Sequence, residues 1–375
     1  MKAQSLMPGA TLGMLGGGQL GRMFVEAARR MGYACIVLDP DPLSPAGSIA
    51  DAHIEAAYDD ADALAELADR CDSVTTEFEN VPANSLRILS QSIPVFPSAN
   101  VIEIAQNRSR EKNFARQAGL QTARFLDVAA PSDLDAVEST CGFPAVMKSA
   151  TLGYDGKGQA IVHNLEEAQQ AYVDLAATEY ILEEKLILKQ ELSVLLVRNA
   201  DGEVATFPIA ENEHINGILH RSIVPARTSD ALSEQARQLT ERLADALDYQ
   251  GVMAVEFFVT ADDQLIFNEM APRPHNSAHY TVDACLYSQF DQQVRAMAGL
   301  SPGSTQLLKP VVMVNLLGDL WDPNWSALFD NDCAKLHLYG KQEARLGRKM
   351  GHVNVLGDDL NELIADSDAL FDRLS

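Results

Sequence analysis

The sequence is short of positive charge: 29 Lys and Arg face 53 Asp and Glu, a formal net charge of −24. Surfaces that grip nucleic acid neutralise phosphates with clustered cations, so a broad nucleic-acid interface is excluded and any anionic ligand must find a local basic pocket. Two such pockets are on offer, Arg273 with His275 and the run Arg345, Arg348 and Lys349. Cysteine is sparse and scattered, Cys35, Cys71, Cys141, Cys285 and Cys333 forming no CxxC or Cys/His cluster. Neither a disulfide framework nor a zinc site follows, and all five read as small buried hydrophobes. Long apolar runs are missing as well. The longest, such as 311–317, are far too short to span a bilayer, and the N-terminus lacks the basic-then-apolar order of a secretory signal. The expectation is a cytoplasmic protein with neither a membrane nor a nucleic-acid partner.

What is present is enough apolar material for more than one core. A chain of 375 residues exceeds the usual size of a single core, and two or three packed units are expected. Through residue 118 short apolar strands (11–15, 34–38, 73–76) alternate with amphipathic helices (19–31, 61–71, and one opened by Pro82 in its first turn), the pattern of a parallel α/β unit. A charged helix over 108–117 and Gly119 close it. A smaller α/β piece occupies 119–186. From 187 to 375 longer strands dominate (191–198, 204–209, 251–259, 264–271), with a helix over 231–247 and an acidic surface helix after Asp358, so this lobe reads as α+β.

Gly16, Gly18 and Gly21 match GxGxxG between a strand and a helix, and Asp39 ends the next strand about where a ribose-binding acid would stand. The same glycines serve close helix-to-sheet packing, and a helix N-terminus accepts any phosphate. With no hydride chemistry evident downstream, packing or a substrate phosphate ranks above a dinucleotide.

The sharpest constellation is a hairpin in which Glu256 and Glu269 stand within otherwise apolar strands. Pairing Val259 with Gln264 sets Glu256 opposite Phe267 and Glu269 opposite Ala254, which puts both carboxylates on one face as diagonal neighbours. Two solvated acids on an edge hairpin are the alternative. Because an unpaired buried carboxylate is costly, shared grip on Mg2+ carrying a nucleotide triphosphate is the better reading.

Residues 268–277 (NEMAPRPHNS) resemble the metal and carboxylate segment of the ATP-grasp ligases. GGGQLGRM at 16–23, GYDGKGQ at 153–159, HINGIL at 214–219, SQF at 288–290 and RLGRKMGH at 345–352 extend the resemblance along nearly the whole chain, to the N5-carboxyaminoimidazole ribonucleotide synthase family. The chain departs from that pattern at Ser149, Ala150, Thr151 and Leu152, where many relatives carry arginines, and at Leu346, where proline is common. The fold implied is an ATP-grasp fold preceded by a Rossmann-like domain.

The resemblance also implies roles. ATP would be held by Arg108 and Lys148, by the flap of Gly153, Tyr154, Asp155, Gly156, Lys157, Gly158 and Gln159, by the adenine connector of Glu183, Glu184, Lys185 and Leu186, and by Glu191, His214, Asn268 and Glu269. Mg2+ would sit on Glu256 and Glu269. Arg273 and Lys148, with Tyr154 and Lys157 of the flap, form the expected catalytic set. The co-substrates implied are bicarbonate and 5-aminoimidazole ribonucleotide, the latter met by Gly18, Gln19, Leu20, Glu77, Asn80, Arg273, His275, Asn276, Lys341, Arg348 and Lys349. ATP would phosphorylate bicarbonate, and the amine would attack the resulting carboxyphosphate. A homodimer is the family tendency. The competing readings are a formate-using glycinamide ribonucleotide transformylase on the same fold, an NAD-dependent oxidoreductase built on the first glycine loop, and an inactive scaffold.

Overall fold

The structure, a computed structural model, describes residues 5–151, 153, 158–321 and 325–374. The first sheet is entirely parallel, in the order Ala52–Ile54, Ala34–Leu38, Thr11–Leu15, Ser73–Thr76, Val95–Phe96. Helix Gln19–Arg30 covers one face because Leu20, Met23, Phe24, Ala27 and Ala28 recur at helical spacing and are buried. It stops at Gly32, whose φ of 86° is easily reached only by glycine. Strands Thr11–Leu15 and Ser73–Thr76 are neighbours, so the loops leaving their C-terminal ends, Gly16–Gly18 and Glu77–Asn80, meet at one edge. Pro82 stands one position earlier than expected, capping helix Ala83–Leu89 from outside.

A four-stranded antiparallel sheet follows, in the order Phe125–Val128, Tyr180–Glu184, Ala145–Ser149, Gln159–Val162. Among the described residues the third sheet has nine strands. Its path is Leu265–Ala271, Gly251–Thr260, Leu188–Arg198, Ala210–Ile215, Ile218–Val224, Val311–Leu317, Lys349–Leu356, Ala334–Leu338. Val204–Thr206 pairs beside Leu188–Arg198 and is shorter than the strand expected over 204–209. The reason is local: Pro208 has no N–H to continue a ladder.

Helix Arg108–Gln117 joins the units and buries an unusual stripe, Glu111, Lys112 and Ala115. The terminal helix Leu360–Leu374 is more than a surface helix, since Leu363 and Leu370 pack against Val312, Val314, Val353 and Val355. Four cysteines are buried as expected; Cys333 is exposed, on a loop just before strand Ala334–Leu338.

Candidate active site

The hairpin of Gly251–Thr260 and Leu265–Ala271 is one residue out of the expected register at its turn, Val259 pairing with Leu265. That slip alone would set Glu269 opposite Val255 and send the two acids to opposite faces. A bulge corrects it: after Phe257 pairs with Phe267, Asn268 is left over and Glu256 pairs directly with Glu269. The carboxylates therefore share a face as cross-strand partners rather than diagonal ones.

Burial and mutual repulsion divide the pair. Desolvation and the Glu269 charge push the Glu256 carboxyl up to about 7. Desolvation pushes the half-buried Glu269 in the same direction, but Arg108, whose Nη1 donates to its Oε2 at 2.8 Å, outweighs it and draws the carboxyl down to about 2. Asn268 Nδ2 donates to Glu256 at 3.3 Å, while its buried Oδ1 has no hydrogen-bond partner among the described residues.

Beside the hairpin lies a cavity of about 1070 Å3. Gly18, Gln19, Leu20, Glu77, Asn80, Arg273, His275, Asn276, Lys341, Arg348 and Lys349 all line it, together with Arg108, Gly153 and Glu269. The two basic pockets anticipated from the sequence are thus parts of one cavity. Arg273 reaches across units to Glu79, its Nε 2.6 Å from Oε2, and this pairing outweighs burial to hold Glu79 below the usual carboxylate range. His275 supplies no positive charge, because burial and the neighbouring Arg273 drive its pKa down to about 3. Lys341 donates to Gln19 Oε1 at 2.7 Å and to the Lys349 carbonyl at 2.6 Å, joining the late loop to the glycine loop.

Three family descriptions tile the sequence: a ribonucleotide synthetase preATP-grasp domain over 9–106, an ATP-grasp domain over 113–290, and a phosphoribosylaminoimidazole carboxylase C-terminal domain over 311–366. The N5-carboxyaminoimidazole ribonucleotide synthase of Bacillus subtilis is 43% identical over 98% of this chain and 96% of its own length. That of Brucella melitensis is 46% identical over 94% of this chain and 98% of its own. The chain belongs to the N5-carboxyaminoimidazole ribonucleotide synthase family. Solved members of this synthase family superpose throughout. The Staphylococcus aureus enzyme complexed with ADP has a TM-score of 0.94 at 39% identity, covering 99% of both chains. The Aspergillus clavatus synthase in complex with ADP and 5-aminoimidazole ribonucleotide has a TM-score of 0.90 at 33% identity, covering 98% of this chain and 99% of that one.

As a member of the synthase family the chain is an ATP-grasp ligase, and the dehydrogenase reading of its glycine loop falls. Asp39 accepts from the Gly17 amide at 2.6 Å and from the Tyr58 hydroxyl at 2.7 Å, so its carboxylate serves the loop's own packing. A Cβ at Gly17 would lie 2.6 Å from Ser44. The loop's phosphate-binding potential is also engaged: Glu77 accepts from the Gly18 and Leu20 amides at 2.5 and 3.0 Å. The amide dipoles expected to face a ribonucleotide phosphate instead hold a protein carboxylate. Asn276 is similarly occupied, in a reciprocal amide pair with Asn315 at 2.9 and 2.8 Å.

Lys148, on strand Ala145–Ser149, is 2.6 Å from Glu183 at the end of Tyr180–Glu184. Glu184 turns outward to Arg124 at 2.7 Å, the Lys185 amide donates to the Pro144 carbonyl at 3.0 Å, and Leu186 is half-buried. Glu191 and His214 face each other at 3.1 Å, and the Glu191 and Glu256 charges help hold the histidine pKa above its usual range. In the flap, Gly158 accepts from the Ser149 amide at 2.8 Å and Gln159 pairs with Lys148. Tyr154, Asp155, Gly156 and Lys157 lie outside the described residues.

Three side chains at this centre escaped sequence reasoning. Glu79 stands in the run Glu77-Phe78-Glu79-Asn80 just after strand Ser73–Thr76, where nothing local marks Arg273 as its partner. Glu111 accepts the Met270 amide at 2.6 Å, and Lys112 donates to the Asn268 carbonyl at 3.0 Å. With Arg108 and Ala115 these two share helical spacing of three and four, a charged inward stripe that the sequence does display.

Proposed function

We infer that this ligase carboxylates 5-aminoimidazole ribonucleotide with bicarbonate, converting ATP to ADP and phosphate, in purine biosynthesis. The observation that carries the reading is the directly paired Glu256 and Glu269 beside a cavity lined by Arg108 and Arg273. ATP use follows from the family. Mg2+ is the finer proposal. Two crowded carboxylates, one held up to about 7 by burial and then by the other's charge, and an amide oxygen with no hydrogen-bond partner among the described residues make an oxygen-donor set suited to a divalent cation. Glu256, Glu269 and Asn268 would hold the ion, which supplies charge neutralisation to the phosphate oxygens.

The protein's remaining task is to orient and stabilise. A bicarbonate oxygen attacks the terminal phosphorus of ATP, the bond to ADP breaks, and carboxyphosphate forms. The ribonucleotide's exocyclic amine then attacks the carbonyl carbon and phosphate leaves, a proton passing from the amine to solvent. Charge spreads over oxygens in the first step, so fixed cations contribute most. Arg273, with a planar guanidinium oriented by Glu79, matches both a carboxylate and a phosphoryl group. Lys148 and Arg108 meet the nucleotide phosphates; Tyr154 and Lys157 of the flap are proposed to cover them. Arg348, Lys349 and Lys341 are proposed for the ribonucleotide phosphate, because Glu77 already occupies the helix amides. On this reading units 1–118, 119–186 and 187–375 contribute the ribonucleotide seat, the nucleotide cover and the metal strand respectively.

A homodimer and a cytoplasmic location accompany the proposal. Among the described residues no helix is long and apolar enough to cross a membrane. The test offers bicarbonate or formate with 5-aminoimidazole ribonucleotide or glycinamide ribonucleotide and follows ADP release. Turnover requires bicarbonate and the aminoimidazole; strict dependence on formate would overturn the substrate assignment.

A further inference from the structure

Lys112 plays no part in the reading above, yet its side chain is only 1% exposed at the junction of the units. It lies 2.7 Å from Glu183 Oε1 and donates to the Asn268 carbonyl at 3.0 Å. The other oxygen of Glu183, Oε2, lies 2.6 Å from Lys148. One buried carboxylate therefore serves two ammonium groups on separate elements, the helix Arg108–Gln117 and the strand Ala145–Ser149.

Removing a lysine from water is expensive, and Glu183 needs only one cation for neutrality. A methionine would fill the same volume without that penalty. The second ammonium changes the charge of the cluster: Glu183 with Lys148 alone is neutral, whereas the trio carries one positive charge in excess. Lys112 is sealed between Glu183 and the Asn268 carbonyl, so the excess is expressed at the more accessible Lys148. That charge reaches the metal strand, since Lys148 helps to lower the Glu269 carboxyl. Burial draws Lys112 below the usual lysine range and Glu183 opposes the shift.

We propose that Lys112 is a positioning residue: by occupying one oxygen of Glu183 it leaves the Lys148 charge uncompensated for nucleotide phosphate, and through Asn268 it ties that charge to the strand bearing Glu269. The proposal rests on Lys148 being a phosphate contact, as proposed above.

The test measures ADP affinity by calorimetry on the full chain, with folding checked by circular dichroism. K112M should weaken ADP by about tenfold or more, the scale of a lost charge-assisted contact, while K112R, always charged, stays near wild type. K112M/E183Q should regain most of the loss, because removing the carboxylate restores one excess positive charge, and a purely structural role offers no such recovery. If K112M does not fold, K112Q, which keeps a donor for Asn268 without the charge, carries the same expectation. Unchanged ADP affinity in K112M, or a double variant no better than K112M, overturns the proposal if K148M binds ADP poorly. Unchanged affinity in K148M itself would instead remove the phosphate reading beneath it.

Discussion

Glu256 pays for its position in stability. Its carboxyl is raised to about 7, so ionising it is harder in the folded protein than in the unfolded chain. The sign follows: the fold loses stability as pH climbs from ~4.3, the ordinary glutamate value, through about 7. Glu256→Gln should therefore stabilise the ligand-free protein at pH 8 by about 1–3 kcal/mol and do little at pH 4. Urea denaturation at the two pH values measures this, and destabilisation at both would contradict the electrostatic account. The same variant should lose ADP formation, because the repulsion that costs stability is what makes the pair a cation site. In the wild type, the Mg2+ needed for half-maximal turnover should fall as pH rises through about 7, as Glu256 sheds its proton.

At the scale of elements, the hairpin shows what alternation can and cannot convey. The period of two implied one face for both glutamates, but the turn and Asn268 each shift the register by one residue, and neither shift has a signature in apolar patterning. The shared face was legible only because the two shifts add to two residues, one full period of the alternation, which turns diagonal neighbours into direct partners without changing their face. Helix Arg108–Gln117 lies where the sequence puts a charged helix, yet nothing local names the partners of its charges: Glu183, Asn268, Glu269 and Met270 lie at least 71 residues away (Lys112 to Glu183). Glu77 illustrates the same gap, since only the parallel pairing of Thr11–Leu15 with Ser73–Thr76 brings its carboxylate to the Gly18 amide. Outside the site, helix Thr281–Ala284 is tied to strand Ala334–Leu338 by Asp283, which is 2.6 Å from Lys335 and 2.7 Å from His337. These bonds hold the Asp283 carboxyl well below the carboxylate range despite its burial. Asp283→Asn should cost about 1–3 kcal/mol. The loss should be full above pH ~3.9 and shrink as acid protonates the unfolded-state carboxyl. Denaturation of both proteins across that range checks the sign.

For the whole molecule, the cavity draws its walls from the first sheet's loop edge, the helix Arg108–Gln117, the Ala271–Asn276 segment and the 341–349 loop. Pieces far apart in sequence are joined there by Arg273–Glu79 and Lys341–Gln19. A ligand bridging these parts should stabilise the entire chain. Mg·ADP at a hundredfold its dissociation constant should add ~2.7 kcal/mol and raise the melting temperature, whereas NADH at equal concentration should leave it unchanged. Stabilisation by NADH alone would return the first glycine loop to a dinucleotide role. The most direct test of the central claim is ADP release by Glu269→Gln with bicarbonate, 5-aminoimidazole ribonucleotide and Mg·ATP. The account predicts a fall of about a hundredfold or more with an unchanged circular dichroism spectrum; near-normal turnover in that folded variant would contradict it.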